Sequence, residues 1–307
     1  MSGRFARRLA AAAGLATGLL LAGCTPDAGG SEPPRIVVTT NILGDVTRNM
    51  VGDAAEVTTL MKPNADPHSF EISARQAAAL GDADLLVANG LGLEEGLERH
   101  LETATASGAR LFEAGEHLQA IDYAPDSGST AADPHFWTDP ARMLDVIDAA
   151  EAELRGIEGI DVGQLEESTA VYRAQVAQLD EQMSSSFAQI PAERRALVTN
   201  HHVFGYLAQR FGFRVIGAVI PGGTTLASPS AADLKELADA IRTANVPAIF
   251  ADSSQPDRLV QALASESGVQ VEVIELFTES LTEPGQGAAS YLEMMQANTE
   301  RITRGLG

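Results

Sequence analysis

Short β-branched runs alternate with stretches of helical spacing along almost the whole chain. In the first half the runs are "RIVVTT" (35–40), "EVTTLM" (56–61), "DLLVANG" (84–90) and "ARLFEA" (109–114), and their length and composition predict strands. Between them "NILGDVTRNMVGD", "SARQAAALGDA" and "LEEGLERHLETATAS" predict helices, the second starting at a Ser73–Gln76 capping box. The pattern restarts with "RALVTN" (195–200), "FRVIGAVI" (213–220), "PAIFAD" (247–252) and "VQVEVIELF" (269–277). Here "HVFGYLAQRFG", "SAADLKELADAIRTA" and "PDRLVQALASES" are the helical stretches. Alternation of this kind implies parallel strands covered by helices. The predicted class is α/β, with two lobes that each hold a roughly four-stranded parallel sheet.

The middle of the chain follows a different rhythm. After Asp139 as a cap and Pro140 in the first turn, Met143, Ile147, Ala150 and Leu154 keep one helical face. "GIEGIDVG" breaks that helix. Leu165, Thr169, Tyr172, Val176, Leu179, Met183 and Phe187 then recur every three or four residues, and Pro191 ends the run. A helix over 162–187 would be about 37 Å long at about 1.5 Å per residue. Such a rod makes a stiff connection between lobes, unlike a Gly/Ser hinge. The expected division is a lobe at 35–160, a linker helix at 161–190 and a second lobe at 191–307.

Residues 1–24 fit neither pattern. Arg4, Arg7 and Arg8 precede the apolar, small-residue run "LAAAAGLATGLLLAGC", which reads as an export signal rather than a spanning helix. It ends at Cys24, the single cysteine among 307 residues, so an internal disulfide is impossible and lipid attachment is the expected use. The pattern resembles a bacterial lipoprotein box. "TPDAGGSEPPR" then reads as a flexible tether over 25–34. The expected location is therefore extracytoplasmic, with a lipid anchor to the membrane. The formal charge of −21 becomes −24 once the three arginines of the signal are removed. A surface that acidic repels nucleic acid and anionic headgroups, so no nucleic-acid partner is expected. It also keeps the chain soluble, and a monomer is expected.

Candidate chemistry lies with the histidines, of which there are six. Ligands of open α/β sheets gather outside the carboxyl ends of strands. His68 follows the second strand after a Pro/Asn/Asp-rich turn, His135 follows the fourth, and His201 closes "RALVTN". The first two sit in nearly one phrase, "ADPHSF" (65–70) and "ADPHFW" (132–137). In each, proline fixes the backbone before the histidine, and aspartate can accept a local backbone hydrogen bond. An aromatic two residues on (Phe70, Trp137) can pack the loop. Each phrase is thus a stiff turn presenting an imidazole. Three imidazoles suit zinc, copper, nickel or iron, and one carboxylate would complete a four-coordinate shell. Asp252, closing "PAIFAD", and Glu279, closing "VEVIELFTE", are the candidates, and spacing does not choose between them. His100, on a charged helix face, and His117, in a loop among acids, read as surface residues. Phe136, Trp137, Phe204 and Tyr206 read as core around the cleft.

These residues resemble the metal-binding lipoproteins of ABC importers, the zinc and manganese solute-binding family also called family 9 or cluster A-I. The resemblance runs from about Ile36 to the C-terminus. It rests on "PNADPHSFEISARQ", "ADPHFWTDPARM", "TNHHVFGYLAQRFGF", "VIGAVIPGGTTLASPSAADL" and "ELFTESL…SYLEMMQANTERI", in the family's order. It implies two α/β lobes joined by one long helix, with the metal buried between them on His68, His135, His201 and Glu279. Asp252 falls on another recurrent family acid and is assigned behind the ligands. The implied cargo is Zn(II), with Mn(II) as the alternative, since "PGGTTLASPS" looks most like the zinc branch without a histidine-rich loop. The implied partners are an ABC permease, its ATPase and a possible metallochaperone donor. Two departures stand out: His201 is followed by His202, which is expected either behind the ligands or as an alternative ligand beside His201, where the family commonly has an acid, and Glu279 stands where Asp is frequent. The connection before His135 also lacks a histidine cluster.

Two other functions are compatible with parts of this pattern. A zinc hydrolase would use the three histidines with water as the fourth ligand and Glu279 or Asp252 as general base, but the chain has no His-Glu-x-x-His phrase. An adhesin-like surface role is compatible with the anchor, with no independent support from the residues.

Overall fold

The computed structural model describes residues 32–123, 131–220, 225–255 and 258–307. The expected export signal, Cys24 and most of the tether lie outside the described residues, as does part of "PGGTTLASPS". By contacts the chain divides into Met1–Glu32 and one compact unit, Pro33–Gly307, which holds every element named below.

All eight expected strands form, trimmed at their ends. The first sheet contains β1 (Arg35–Val38), β2 (Glu56–Thr59), β3 (Leu85–Ala88) and β4 (Leu111–Glu113), in the order β2-β1-β3-β4. The second contains β5 (Ala196–Thr199), β6 (Arg214–Ala218), β7 (Ala248–Asp252) and β8 (Glu272–Leu276), in the order β6-β5-β7-β8. Every pairing is parallel, with Ile36 opposite both Val57 and Leu85, and Phe250 opposite Ile274. Both halves therefore share one topology. In each, the chain changes direction across the sheet beside its first strand, which opens a crevice at the carboxyl ends of β1/β3 and of β5/β7.

The covering helices are α1 (Asn41–Val51), α2 (Ala74–Gly81) and α3 (Glu98–Ala106) on the first sheet, and α6 (Gly205–Phe211), α7 (Ala231–Ala244) and α8 (Arg258–Glu266) on the second. The Ser73–Gln76 capping box at α2 is present, with each partner bonding the other's backbone. Two predicted helix starts are corrected. Residues 93–97 are not helical, because Leu93, Glu94 and Leu97 turn inward in a loop that Glu94 pins to β3. Likewise α6 begins at Gly205 rather than His202, since residues 201–204 form the turn that presents His201.

Between the sheets run α4 (Pro140–Leu154) and α5 (Val162–Phe187). Asp139 caps α4 ahead of Pro140, and Asp161 caps α5 by accepting from Gln164 N at 3.0 Å. The buried face of α5 is Leu165, Thr169, Tyr172, Val176, Leu179, Met183 and Phe187, the stripe that its periodicity predicts. A further helix, α9 (Tyr291–Leu306), returns after the second sheet and packs on α5 and β8. Strand alternation sorts the core. Ile36, Val38, Leu85 and Val87 of the first sheet, and Leu197, Phe250, Ile274 and Leu276 of the second, join α4, α5 and α9 in one continuous cluster. Val198, Ile249 and Ala251 point the other way, to α7 and α8, and Val37, Leu86 and Ala88 to α2 and α3. No helix among the described residues is long and apolar enough to cross a membrane.

Candidate metal centre

Four side chains from four separate turns meet at the carboxyl ends of the two sheets. His68 lies in the turn after β2, His135 just before α4, His201 directly after β5, and Glu279 after β8. One donor atom from each lies within 4.8 Å of every other, and none of the four residues is more than 1% exposed. His135 Nε2 is 3.3 Å from His68 Nε2, and Glu279 Oε1 is 2.8 Å from His201 Nε2 and 3.5 Å from His135 Nε2.

The two Asp-Pro-His phrases build nearly equal turns. Asp66 Oδ1 accepts from His68 N at 2.9 Å, and Asp133 Oδ1 accepts from His135 N at 2.9 Å. Beyond that they differ. Asp133 Oδ1 also takes the Nδ1 proton of His135 at 2.7 Å, which fixes the tautomer and leaves the Nε2 lone pair facing the cluster. Asp66 instead reaches away from its histidine. Its Oδ2 accepts from Ser69 Oγ at 3.1 Å and, on the second lobe, from Thr225 Oγ1 and from Gln255 Nε2 at 2.9 Å.

Glu279 is positioned mostly by the first lobe. Trp137 Nε1 donates to Thr278 O at 2.8 Å, and Asn41 holds Ser280 Oγ at 2.8 Å and Leu281 N at 2.9 Å. Asp252 does not join the cluster. Its Oδ1 accepts from Ser254 N at 2.6 Å and its Oδ2 from the Thr278 hydroxyl, so it braces the residue beside Glu279. His202 turns its ring toward Tyr123, with centroids 5.5 Å apart, and lines a cavity of about 820 Å³ between residues 119–123 and the second sheet. His100 and His117 are exposed, the latter stacked on Phe112 at 4.6 Å. Phe136, Trp137, Phe204 and Tyr206 are all buried.

Sequence reasoning missed what supports His135. Tyr206 Oη donates to Asp133 O at 2.8 Å, and a Cβ on Gly205 would lie 2.4 Å from Asp133 Oδ2. The start of α6 must therefore be glycine for that carboxylate to keep its place. The only sequence hint was the juxtaposition "FGY" at a predicted helix start.

The electrostatics are those of a cation trap. Burial would raise the Glu279 carboxyl, but the neighbouring imidazoles of His135 and His201 and the His201 hydrogen bond hold it down to about 2. Glu279 therefore stays ionised while buried, and its Oε2 has no hydrogen-bond partner. Burial would lower His201, and the charge and hydrogen bond of Glu279 outweigh it and raise it. His68 is lowered, chiefly by burial, and so presents a neutral imidazole. Asp252 is raised by burial and by the nearby Glu279 charge. A buried polar atom left unpaired costs about 1–3 kcal/mol. Opposed imidazole nitrogens and an unpaired carboxylate oxygen around one point are what a divalent cation would satisfy together.

Residues 36–305 match the model of the family described as "ZnuA: Zinc-uptake complex component A periplasmic". The chain is 30% identical over 299 residues to "Zinc-binding protein TroA" of Treponema pallidum, covering 96% of each chain. The solved structure of that periplasmic zinc-binding protein superposes with a TM-score of 0.82 at 28% identity, over 90% of this chain and 99% of the other. "Manganese-binding lipoprotein MntA" of Halalkalibacterium halodurans is 27% identical, covering 94% of this chain and 95% of its own. The "Manganese ABC transporter substrate-binding lipoprotein PsaA" of Streptococcus pneumoniae is 26% identical, covering 90% of each.

Proposed function

The chain belongs to the family of periplasmic zinc-uptake component A, and from that membership we propose that it captures Zn(II) in the interlobe cleft and delivers it to a permease. Its role as a metal-binding component of an ABC importer follows from the family, whose members are transport proteins rather than enzymes. The metal itself is our reading. Relatives are named for zinc and for manganese. Three imidazole nitrogens and one carboxylate favour zinc, because manganese prefers more oxygen donors. The observation that carries the reading is the fully buried group of His68, His135, His201 and Glu279 within one ion's reach.

The four act as ligands, with Asp133 orienting His135, and with Asp252 and His202 outside the donor set. A fourth protein donor closes the position that a zinc hydrolase keeps for water. Cys24 carries the lipid that holds the protein at the membrane surface, the lobes divide at the ends of α5, and the partners are a permease with its ATPase and, upstream, a metallochaperone. Release requires the lobes to part, since no ligand reaches solvent. Calorimetry of metal-free protein tests this: one equivalent of zinc should bind, and far more tightly than manganese. Uptake of manganese in preference, or of no metal, overturns it.

A further inference from the structure

Of the three imidazoles, His68 sits in a turn that copies the His135 turn yet lacks its acceptor. Asp66 is turned toward Ser69, Thr225 and Gln255, and His68 Nδ1 is buried with no hydrogen-bond partner. The group facing it is the carboxylate of Glu95, whose Oε1 stands 3.9 Å away. From this geometry we propose that Glu95 is the positioning residue for His68, accepting its Nδ1 proton when the cation holds Nε2. This inference rests on the ligand set proposed above.

The local chain is built to present that carboxylate. Glu94 faces inward and anchors the loop, accepting from Thr39 Oγ1 at 2.6 Å, Asn89 N at 2.7 Å and Gly90 N at 3.2 Å. Gly96 lies against the His68 turn so closely that a Cβ there would be 2.8 Å from Phe70 O. Between an anchored residue and a seated one, Glu95 has its side chain 45% exposed on one side and His68 on the other. A half-exposed side chain can rotate through the remaining distance without disturbing the core. Metal-bound histidines almost always donate their second ring N–H to such an acceptor. His135 finds it in Asp133, two residues earlier in its own turn, and His68 finds it 27 residues later, in the loop after β3.

The test uses the whole purified protein with zinc, a competing chelator and ¹⁵N-labelled histidine. Glu95→Ala should weaken zinc binding by roughly 10–100-fold, the usual effect of removing such a partner, and should abolish the protected His68 Nδ1–H signal of the loaded protein. Glu95→Gln keeps an acceptor oxygen and should recover most of both. Gly96→Ala, which presses on Phe70, should shift both readouts in the same direction as Glu95→Ala. If Glu95→Gln behaves like Glu95→Ala, the effect is one of charge and the positioning role is overturned. Unchanged affinity and signal in Glu95→Ala, with His68→Ala destroying binding, overturns the role of Glu95 alone. Unchanged affinity in His68→Ala overturns the ligand set itself.

Discussion

Two turns spelled almost identically, Ala65–Phe70 and Ala132–Trp137, do unequal work. In both, proline and an aspartate oxygen on the histidine N–H fix the backbone. In the second, the same aspartate oxygen also grips the imidazole, and Trp137 is buried and bonded to Thr278 O across the cleft. In the first, the aspartate ties one lobe to the other and Phe70 is only half-buried. One local motif can therefore yield a self-oriented imidazole in one place and an interlobe tie in another. The surroundings decide whether the aspartate serves its own imidazole or the other lobe.

The coarsest way to break this comparison is to delete each imidazole. His68→Ala and His135→Ala should both weaken zinc by on the order of a hundredfold or more, since each removes a donor from a site worth about 10–16 kcal/mol when filled. Competition with a chromogenic chelator measures this. If only one deletion matters, the two turns do not serve one ion. The aspartates sharpen it. Asp133→Ala should weaken zinc by about 10–100-fold through the lost imidazole acceptor. Asp66→Asn should cost only about 1 kcal/mol, or about fivefold, mainly as faster release measured by stopped flow. Equal losses would show that the two carboxylates have the same role.

A smaller effect concerns the floor beneath Asp133. Gly205→Ala should lower thermal stability by about 1–3 kcal/mol for the overpacking, offset by up to about 1 kcal/mol of better helix propensity. It should also weaken zinc, leaving His68 geometry untouched; calorimetric melting with and without metal checks both. The smallest effect is in protons. His68, lowered by burial, loads already neutral, whereas His201 is raised above the ordinary 6.5 by Glu279 against burial. The His201–Glu279 pair thus stabilises the metal-free protein fully below pH 6.5, and that contribution fades as pH rises through the raised value. Zinc must displace that proton, so its affinity should rise with pH over the same window. Titrations at pH 7 in buffers of different ionisation enthalpy should show zinc binding releasing protons, and releasing fewer in His201→Ala.

Much of this was readable from residue order. Eight strands, the α5 stripe and the Ser73–Gln76 cap follow from local periodicity, and local periodicity is what folds them. The repeated phrase singled out His68 and His135, because a rigid turn is a property of adjacent residues. What escaped depends on partners far along the chain. Asp252 ends β7 and Glu279 lies just past β8, and only contacts with Ser254 and Thr278 on one side, and His201 on the other, separate their uses. The late start of α3 comes from Glu94 reaching back to Thr39. Helix α9 carried a readable spacing, Tyr291, Met294, Asn298, Ile302 and Leu306, but two polar residues within its buried stripe, Asn298 and Thr299, obscured it. Asn298 is buried because its side chain pairs with both backbone groups of Phe277.

The loop after β8 has a consequence for unloading. By chain order Glu279 belongs with His201, yet Asn41, Asn64 and Trp137 fasten its neighbours to the opposite side. Sorted by attachment, the donors divide three against one, with His201 the odd member. If these four residues hold the cargo as proposed, a crack opening along that seam would strip a single nitrogen and leave a three-toothed claw still closed on its prize, so a recipient would have to pull as well as pry.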